Sequence, residues 1–312
     1  MDIDLVYLWV NGDDPKWIKK RNKYINGKNE ENSDTTGKGR YTNNDELKYS
    51  LRSIEKYAPW IRNIFIVTDD QIPEWLDTTN SKVKIIDHKD IMPTESLPCF
   101  NSSVIEYFIY RIPNLSEHFI YANDDMLLYS PMCQEDFFTK EGFPIVRLKR
   151  TPFIKLRYKF KRLLTGGLRY YKSLIVNSVS LVEKRYGKVF SGIPHHGIDS
   201  FVKSDYKEAI ENIFKTEVEK SYQNKVRTIG DFHRSAISYY VLAIQHGELK
   251  YVGRNESMRI SLHRHKAIIP RLRRYKPKFI CVNDSQRVKD SDREQIRPIL
   301  EYIYPEKIKF EK

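Results

Sequence analysis

Phe119-Ile-Tyr-Ala-Asn-Asp-Asp-Met-Leu-Leu128 is an apolar run broken midway by Asn123, Asp124 and Asp125. A run of this length and composition reads as a buried strand. Two adjacent carboxylates at the end of such a strand need a partner, because an unpaired buried carboxylate is costly. A divalent cation carrying a diphosphate meets that need, which makes Asp124 and Asp125 candidate metal ligands. A turn in which Asp125 caps a short helix is the competing reading of the same tripeptide.

Working outward, residues 3–10 form a short β-rich run ended by the turn signal Asn11-Gly12-Asp13-Asp14-Pro15. Residues 26–42 are polar, rich in Gly, Asn and Lys and without apolar period, which predicts a mobile loop. Residues 43–57 open with capping residues and place Leu47, Leu51 and Ile54 at helical spacing, stopped by Ala58-Pro59. Strands are predicted over 61–68, followed by Asp69-Asp70, and over 83–86, and a helix over 101–112. This alternation predicts an α/β fold with a mostly parallel sheet and right-handed crossovers. Asn11, Gly12, Asp13, Asp69, Asp124 and Asp125 then all fall just after strand ends, where ligands gather in open α/β sheets.

Of the 312 residues, 40% are hydrophobic, enough for a real core, and 54 Lys+Arg against 41 Asp+Glu give a net charge of +13. That charge favours an anionic partner. The three cysteines lack a Cys-x-x-Cys pair, so neither a disulfide framework nor a zinc site is indicated and a reducing cytosol is expected. The start carries Asp2 and Asp4 in place of a basic leader, and no apolar run nears the ~18 residues that cross a bilayer. Residues 147–188 are dense in Lys and Arg interleaved with Phe153, Leu156, Phe160, Leu163 and Leu164. Such a mixture suits a solvated helical insertion or an anionic membrane surface, and no nucleic-acid motif accompanies it. Pro194-His-His-Gly197 reads as a rigid turn ahead of a helix that exposes His195 and His196, and Arg227 precedes a helix predicted over 231–245. Residues 278–284 repeat the strand-then-Asn-Asp grammar, adding Asp284 to the rim, and a closing helix is predicted over 291–304.

Several stretches carry a resemblance beyond what spacing supplies. Residues 4–15, residues 44–68 continuing through Gln71-Ile-Pro-Glu-Trp75 to Asn123-Asp124-Asp125, Pro194–Asp199 with Val226-Arg227 and Asp231, and residues 279–284 resemble the four conserved regions of the Stealth family of sugar-phosphate transferases. The family includes bacterial capsule and cell-wall polysaccharide phosphotransferases and the N-acetylglucosamine phosphotransferase of lysosomal targeting. The resemblance implies a nucleotide-sugar-binding fold of GT-A-like or Rossmann-like type, spanning 1–312 as one catalytic domain. A basic helical insertion at about 147–190 and a part from about 191 to 312 that completes the active site belong to the same expectation.

The implied reaction moves a sugar-1-phosphate from a nucleotide sugar to a glycan or lipid-linked glycan hydroxyl. An acceptor oxygen attacks phosphorus, so the demand is for cations around the phosphate and a base in line. Mg²⁺ or Mn²⁺ on Asp124, Asp125 and Asp284 supplies the first. His195 or His196, Arg227, Asp69 and Asp231 form the catalytic set, and Trp9, Asn11, Gly12, Asp13, Glu46, Arg52 and Asn123 the substrate-binding set. A cytoplasmic location, peripheral on the inner face of the membrane, goes with a lipid-linked acceptor. Two other classes stay open on the residues alone: a metal-dependent glycosyltransferase releasing a nucleoside diphosphate, and a non-catalytic module for polyanions or membrane. Acidic residues at several strand ends disfavour the last.

Overall fold

The computed structural model describes residues 1–25, 41–284 and 288–312, so the loop expected over 26–42 lies, save Tyr41 and Thr42, outside the described residues. In chain order the strands are β1 (Ile3–Leu8), β2 (Ile64–Thr68), β3 (Val83–Asp87), β4 (His118–Asn123), β5 (Met126–Leu128), β6 (Ile145–Arg150), β7 (Gly192–Pro194), β8 (Asp199–Val202), β9 (Glu248–Tyr251), β10 (Ser257–Ser261) and β11 (Phe279–Asn283). The central sheet has the order β3-β2-β1-β4-β8, parallel except for the antiparallel edge strand β8. This is the mostly parallel α/β class read from the strand-helix alternation.

Side chains alternate across the sheet as the pleat requires. Val6, Phe65, Val67, Phe119 and Tyr121 enter one core with Tyr107 and Ile237, while Leu5, Tyr7, Ile66 and Ile120 enter another with Leu47, Leu51 and Ile54 of the helix Glu46–Tyr57. Helices therefore cover both faces, which explains why the strands are apolar throughout.

The exception is Asp4, fully buried in β1. Its carboxylate accepts from Arg62 at 2.7 and 2.9 Å and from the Ser116 and Asn63 backbone N–H groups at 2.7 and 3.0 Å. Burial alone would raise its pKa, but these donors hold it below the usual carboxylate range. Asp4→Asn is expected to cost about 2 kcal/mol, because an amide cannot accept the whole set. A urea midpoint unchanged within error would contradict this.

The chain changes sheets at Asp124-Asp125. Strand β4 ends at Asn123, and β5 pairs antiparallel with β11, Met126 opposite Cys281, in the sheet β10-β11-β5. The Asp125 carbonyl accepts the Val282 N–H at 2.8 Å, so the two carboxylates sit on a corner pinned at both ends.

Three helices differ from their sequence reading. The one expected over 101–112 is the helix Ser102–Glu106 followed by a 3₁₀ turn Ile109–Arg111, and the closing one divides at Gln295. The one expected from residue 231 starts at Ser235. There the Phe232 and His233 N–H groups donate to Tyr107 Oη and Ser178 Oγ, at 3.1 and 2.9 Å, so side chains hold the segment ahead of the helix. The basic segment folds as the helices Ile154–Thr165 and Tyr170–Tyr186, and Gly166 takes the left-handed turn (φ 67°) that ends the first. No helix among the described residues is long and apolar enough to cross a membrane.

Candidate active site

A cavity of about 290 Å³ opens at the carboxyl ends of β1 and β4, the neighbouring strands at the centre of the sheet. Strand β1 delivers Trp9 and β4 delivers Asn123, Asp124 and Asp125, while Asp284 arrives after β11 and Glu46 at the first turn of its helix. The second half of the chain adds His195 and His196 after β7, with Arg227 and the Tyr170–Tyr186 helix. Nine residues nominated from sequence thus share one cavity wall.

Carboxylates crowd one side of it. Burial first, then the charges of Asp125 and Glu46, push the Asp124 carboxyl well above its ordinary pKa. Glu46 is pushed up to about 7 by burial, against the pull of the Asn44 donors at 2.7 and 2.8 Å, and Asp125 adds to the rise. A cation relieves such repulsion. Among the described residues no three His, Cys, Asp or Glu side chains form a ligand cluster by themselves. The adjacent pair Asp124-Asp125 fits instead an ion that keeps waters and takes substrate phosphate oxygens for its remaining positions. Asp284 corrects the expected ligand set, since its carboxylate is already held by both Nε and Nη2 of Arg293, at 2.7 and 3.0 Å.

Basic groups line the same cavity. Arg227 donates to Tyr41 Oη and Ser102 Oγ, both at 3.1 Å, and packs over the Tyr41 ring at 5.2 Å. His195 is only 7% exposed, and neither ring nitrogen has a hydrogen-bond partner in the protein. Burial, then the charge of Arg147, the neighbouring His196 ring and the charge of Arg234, hold it neutral, well below the usual histidine pKa. His196 is held down to about 4, by burial and then Arg259. The expectation of exposed imidazoles ahead of a helix is therefore corrected. The turn joins β7 to β8, and Gly197 lets the His195 ring fold back over it, since a Cβ there would lie 2.3 Å from that ring.

Six nominated residues lie outside the cavity lining, each for a visible reason. Arg52 is buried in a clasp with Glu311 at 2.7 and 2.8 Å, Glu301 at 3.0 Å and the Tyr304 carbonyl at 2.7 Å, so it ties down the closing segment and does not bind substrate. Asp69 pairs with Lys20 at 2.5 Å. Asp231 accepts from Asn101, Asn224 and the Thr228 N–H, at 2.7, 2.6 and 3.1 Å, and so fixes the loop that presents Arg227. Asn11 exchanges hydrogen bonds with Gln71, and its side-chain oxygen accepts the Asp13 N–H at 3.1 Å. Gly12 donates to the Tyr41 carbonyl at 2.9 Å.

Gly12 thereby supports the site from behind. A Cβ there would meet Tyr41 O at 2.2 Å, and Tyr41 carries Arg227. Gly12→Ala is expected to raise the donor KM about tenfold while the thermal midpoint moves little, because only a surface turn shifts. An unchanged KM would contradict this placement.

Sequence reading missed three groups in the cavity: Glu106, His233 and Arg234. Arg234 reaches Asp199 at 2.8 Å and Glu106 at 3.1 Å, and Tyr121 Oη lies 3.0 Å from Glu106 and 2.9 Å from Asn123 Oδ1, a chain that sets the Asn123 amide. His233 Nδ1 accepts the Ser235 N–H at 3.0 Å, and its Nε2 lies 3.4 Å from Arg234 Nη1, so the ring is held between the helix start and the guanidinium. Burial first, then Arg234, keeps it neutral. Its polar position just ahead of an apolar helix was the available signal.

Comparison with known proteins adds a lineage to this geometry. The model of Stealth conserved region 1 matches residues 1–29, and that of conserved region 2 matches residues 40–146. An exopolysaccharide phosphotransferase of Lactiplantibacillus plantarum is 34% identical, over 100% of this chain and 96% of its own. A capsular polysaccharide phosphotransferase of Streptococcus pneumoniae is 31% identical, over 100% of this chain and 99% of its own. One from Haemophilus influenzae is 37% identical over 74% of this chain, which spans 62% of that longer protein. Among solved structures the galactosyltransferase LgtC aligns over 97% of this chain and 95% of its own at a TM-score of 0.46 and 10% identity, a likeness that carries no functional weight.

Proposed function

The chain belongs to the Stealth family, and from that premise we propose that it transfers a sugar-1-phosphate from a nucleotide-sugar donor to a glycan hydroxyl. The product is a phosphodiester in a cell-surface polysaccharide, and the leaving group is a nucleoside monophosphate. One observation carries this reading: Arg227 and the His195-His196 turn line the same cavity as the Asp124-Asp125 corner. Cationic and proton-accepting groups in one cavity with a carboxylate pair suit attack at phosphorus.

Asp124 and Asp125 would hold Mg²⁺ or Mn²⁺, which when bound neutralises charge on the diphosphate. The guanidinium of Arg227 offers a planar fork to the phosphate oxygens, already aimed by Tyr41 and Ser102. His195, whose ring nitrogens make no hydrogen bond and whose Nε2 lies 4.0 Å from Asp199 Oδ1, takes the proton of the acceptor hydroxyl. As that oxygen bonds to the sugar-bearing phosphorus, the bridging P–O bond breaks and its electrons leave with the monophosphate. The anionic donor itself opposes the field of Arg147 and Arg234 and so restores basicity to His195. Trp9, Asn123 and Glu46 line the donor side.

Residues 1–312 act as one catalytic domain in this reading, with a basic insertion near 147–190 and the part from about 191 onward completing the site. Its support is the cavity wall drawn from both halves. A lipid-linked acceptor places the protein in the cytoplasm, peripheral on the inner membrane face. Incubation with a panel of nucleotide sugars, Mg²⁺ or Mn²⁺ and glycan acceptor tests the reaction. A nucleoside monophosphate is the expected released nucleotide, and a diphosphate would favour a glycosyltransferase.

A further inference from the structure

The helix Ile154–Thr165 is held to the protein by one edge only. Ile154 and Tyr158 are buried in the core, whereas Phe153, Leu156, Phe160, Leu163 and Leu164 are 53–84% exposed. Leu156, Phe160, Leu163 and Leu164 stand at i, i+4, i+7 and i+8, so they form one stripe along the helix. Five bulky apolar groups on one outward face are far more than scattered surface residues require.

The charge beside that stripe says what it meets. The helix carries Lys155, Arg157, Lys159, Lys161 and Arg162 and no acidic residue. Lys155 pairs with Glu183 of the following helix. The remainder crowd one another: Lys172, on that same helix, is held down to about 8, first by Lys161 and then by burial. A water-facing surface gains nothing from the apolar stripe, and a protein partner gains nothing from the surrounding cations unless it is acidic. An anionic bilayer satisfies both, taking the stripe into its acyl boundary and the cations against its headgroups.

We propose that the outward face of the helix Ile154–Thr165 docks on an anionic bilayer. Its neighbour, the helix Tyr170–Tyr186, lines the cavity with Tyr170, Tyr171 and Leu174, so docking sets the cavity at the bilayer surface. Resting on the phosphotransfer reading, this orientation presents a lipid-linked glycan to the active site.

The full chain is mixed with phosphatidylglycerol/phosphatidylcholine vesicles or with phosphatidylcholine vesicles at low salt, and sedimented. The parent is expected to pellet with the anionic vesicles only, and to be released by high salt. Leu163→Glu with Leu164→Glu should weaken partition about tenfold or more, and Arg157→Gln with Lys159→Gln should weaken it and flatten its salt dependence. Both variants should melt as the parent does and turn over a soluble acceptor unchanged. A parent that stays in the supernatant with anionic vesicles, variants that pellet like the parent, or a dimer that the leucine variants dissociate would each overturn the proposal. The vesicle measurement needs no turnover, so failure of the phosphotransfer reading and failure of docking are read separately.

Discussion

Asparagine at position 125 is expected to lower turnover about a thousandfold while leaving the protein at least as stable as the parent. The side chain keeps its shape, and the backbone hydrogen bond from Val282 to the residue 125 carbonyl does not depend on the carboxylate. One of two adjacent negative charges is lost, and with it the pair that suits a cation. Glu46, pushed up to about 7 by burial and by Asp125, destabilises the fold progressively as pH rises from the ordinary carboxylate range toward 7. Removing the Asp125 charge weakens that penalty, so the metal-free variant should lose less stability than the parent between about pH 4.5 and 7. Kinetic assay at saturating Mg²⁺, with urea unfolding at both pH values, checks both halves. Parent-like turnover would remove Asp125 from the chemistry.

Alanine in place of Arg227 should cost about a thousandfold in kcat, the scale on which a single arginine stabilises a phosphoryl transition state. Its effect on folding should be small, because it donates to Tyr41 Oη and Ser102 Oγ, neutral groups at the cavity wall. Lysine should not rescue it, since a point charge lacks the planar fork. A drop of less than about tenfold in Arg227→Ala would mean that the phosphate is held elsewhere.

How far the sequence disclosed these groups depended on the reach of the interaction involved. Periodicity and turn chemistry are local, so the helix carrying Leu47, Leu51 and Ile54, the parallel strands and the Asn123-Asp124-Asp125 corner were legible without coordinates. The clasp on Arg52 was not, because its carboxylate partners stand 249 and 259 residues away. Asp284 failed for a related reason: a strand ending in Asn-Asp resembles the β4 corner, but Arg293 folds back onto it. The neutral state of His195 is equally non-local, set by its burial and by the charges of Arg147 and Arg234. Gly12 was placed in the right region for a different role, as the close approach that seats Tyr41 under Arg227.

The central claim is that bond breaking occurs at phosphorus, and a donor labelled with ³²P at the sugar-bearing phosphate tests it most directly. Phosphotransfer predicts that the label appears in the glycan while an unlabelled nucleoside monophosphate is released. Label recovered in a nucleoside diphosphate, with a phosphorus-free product, would contradict it.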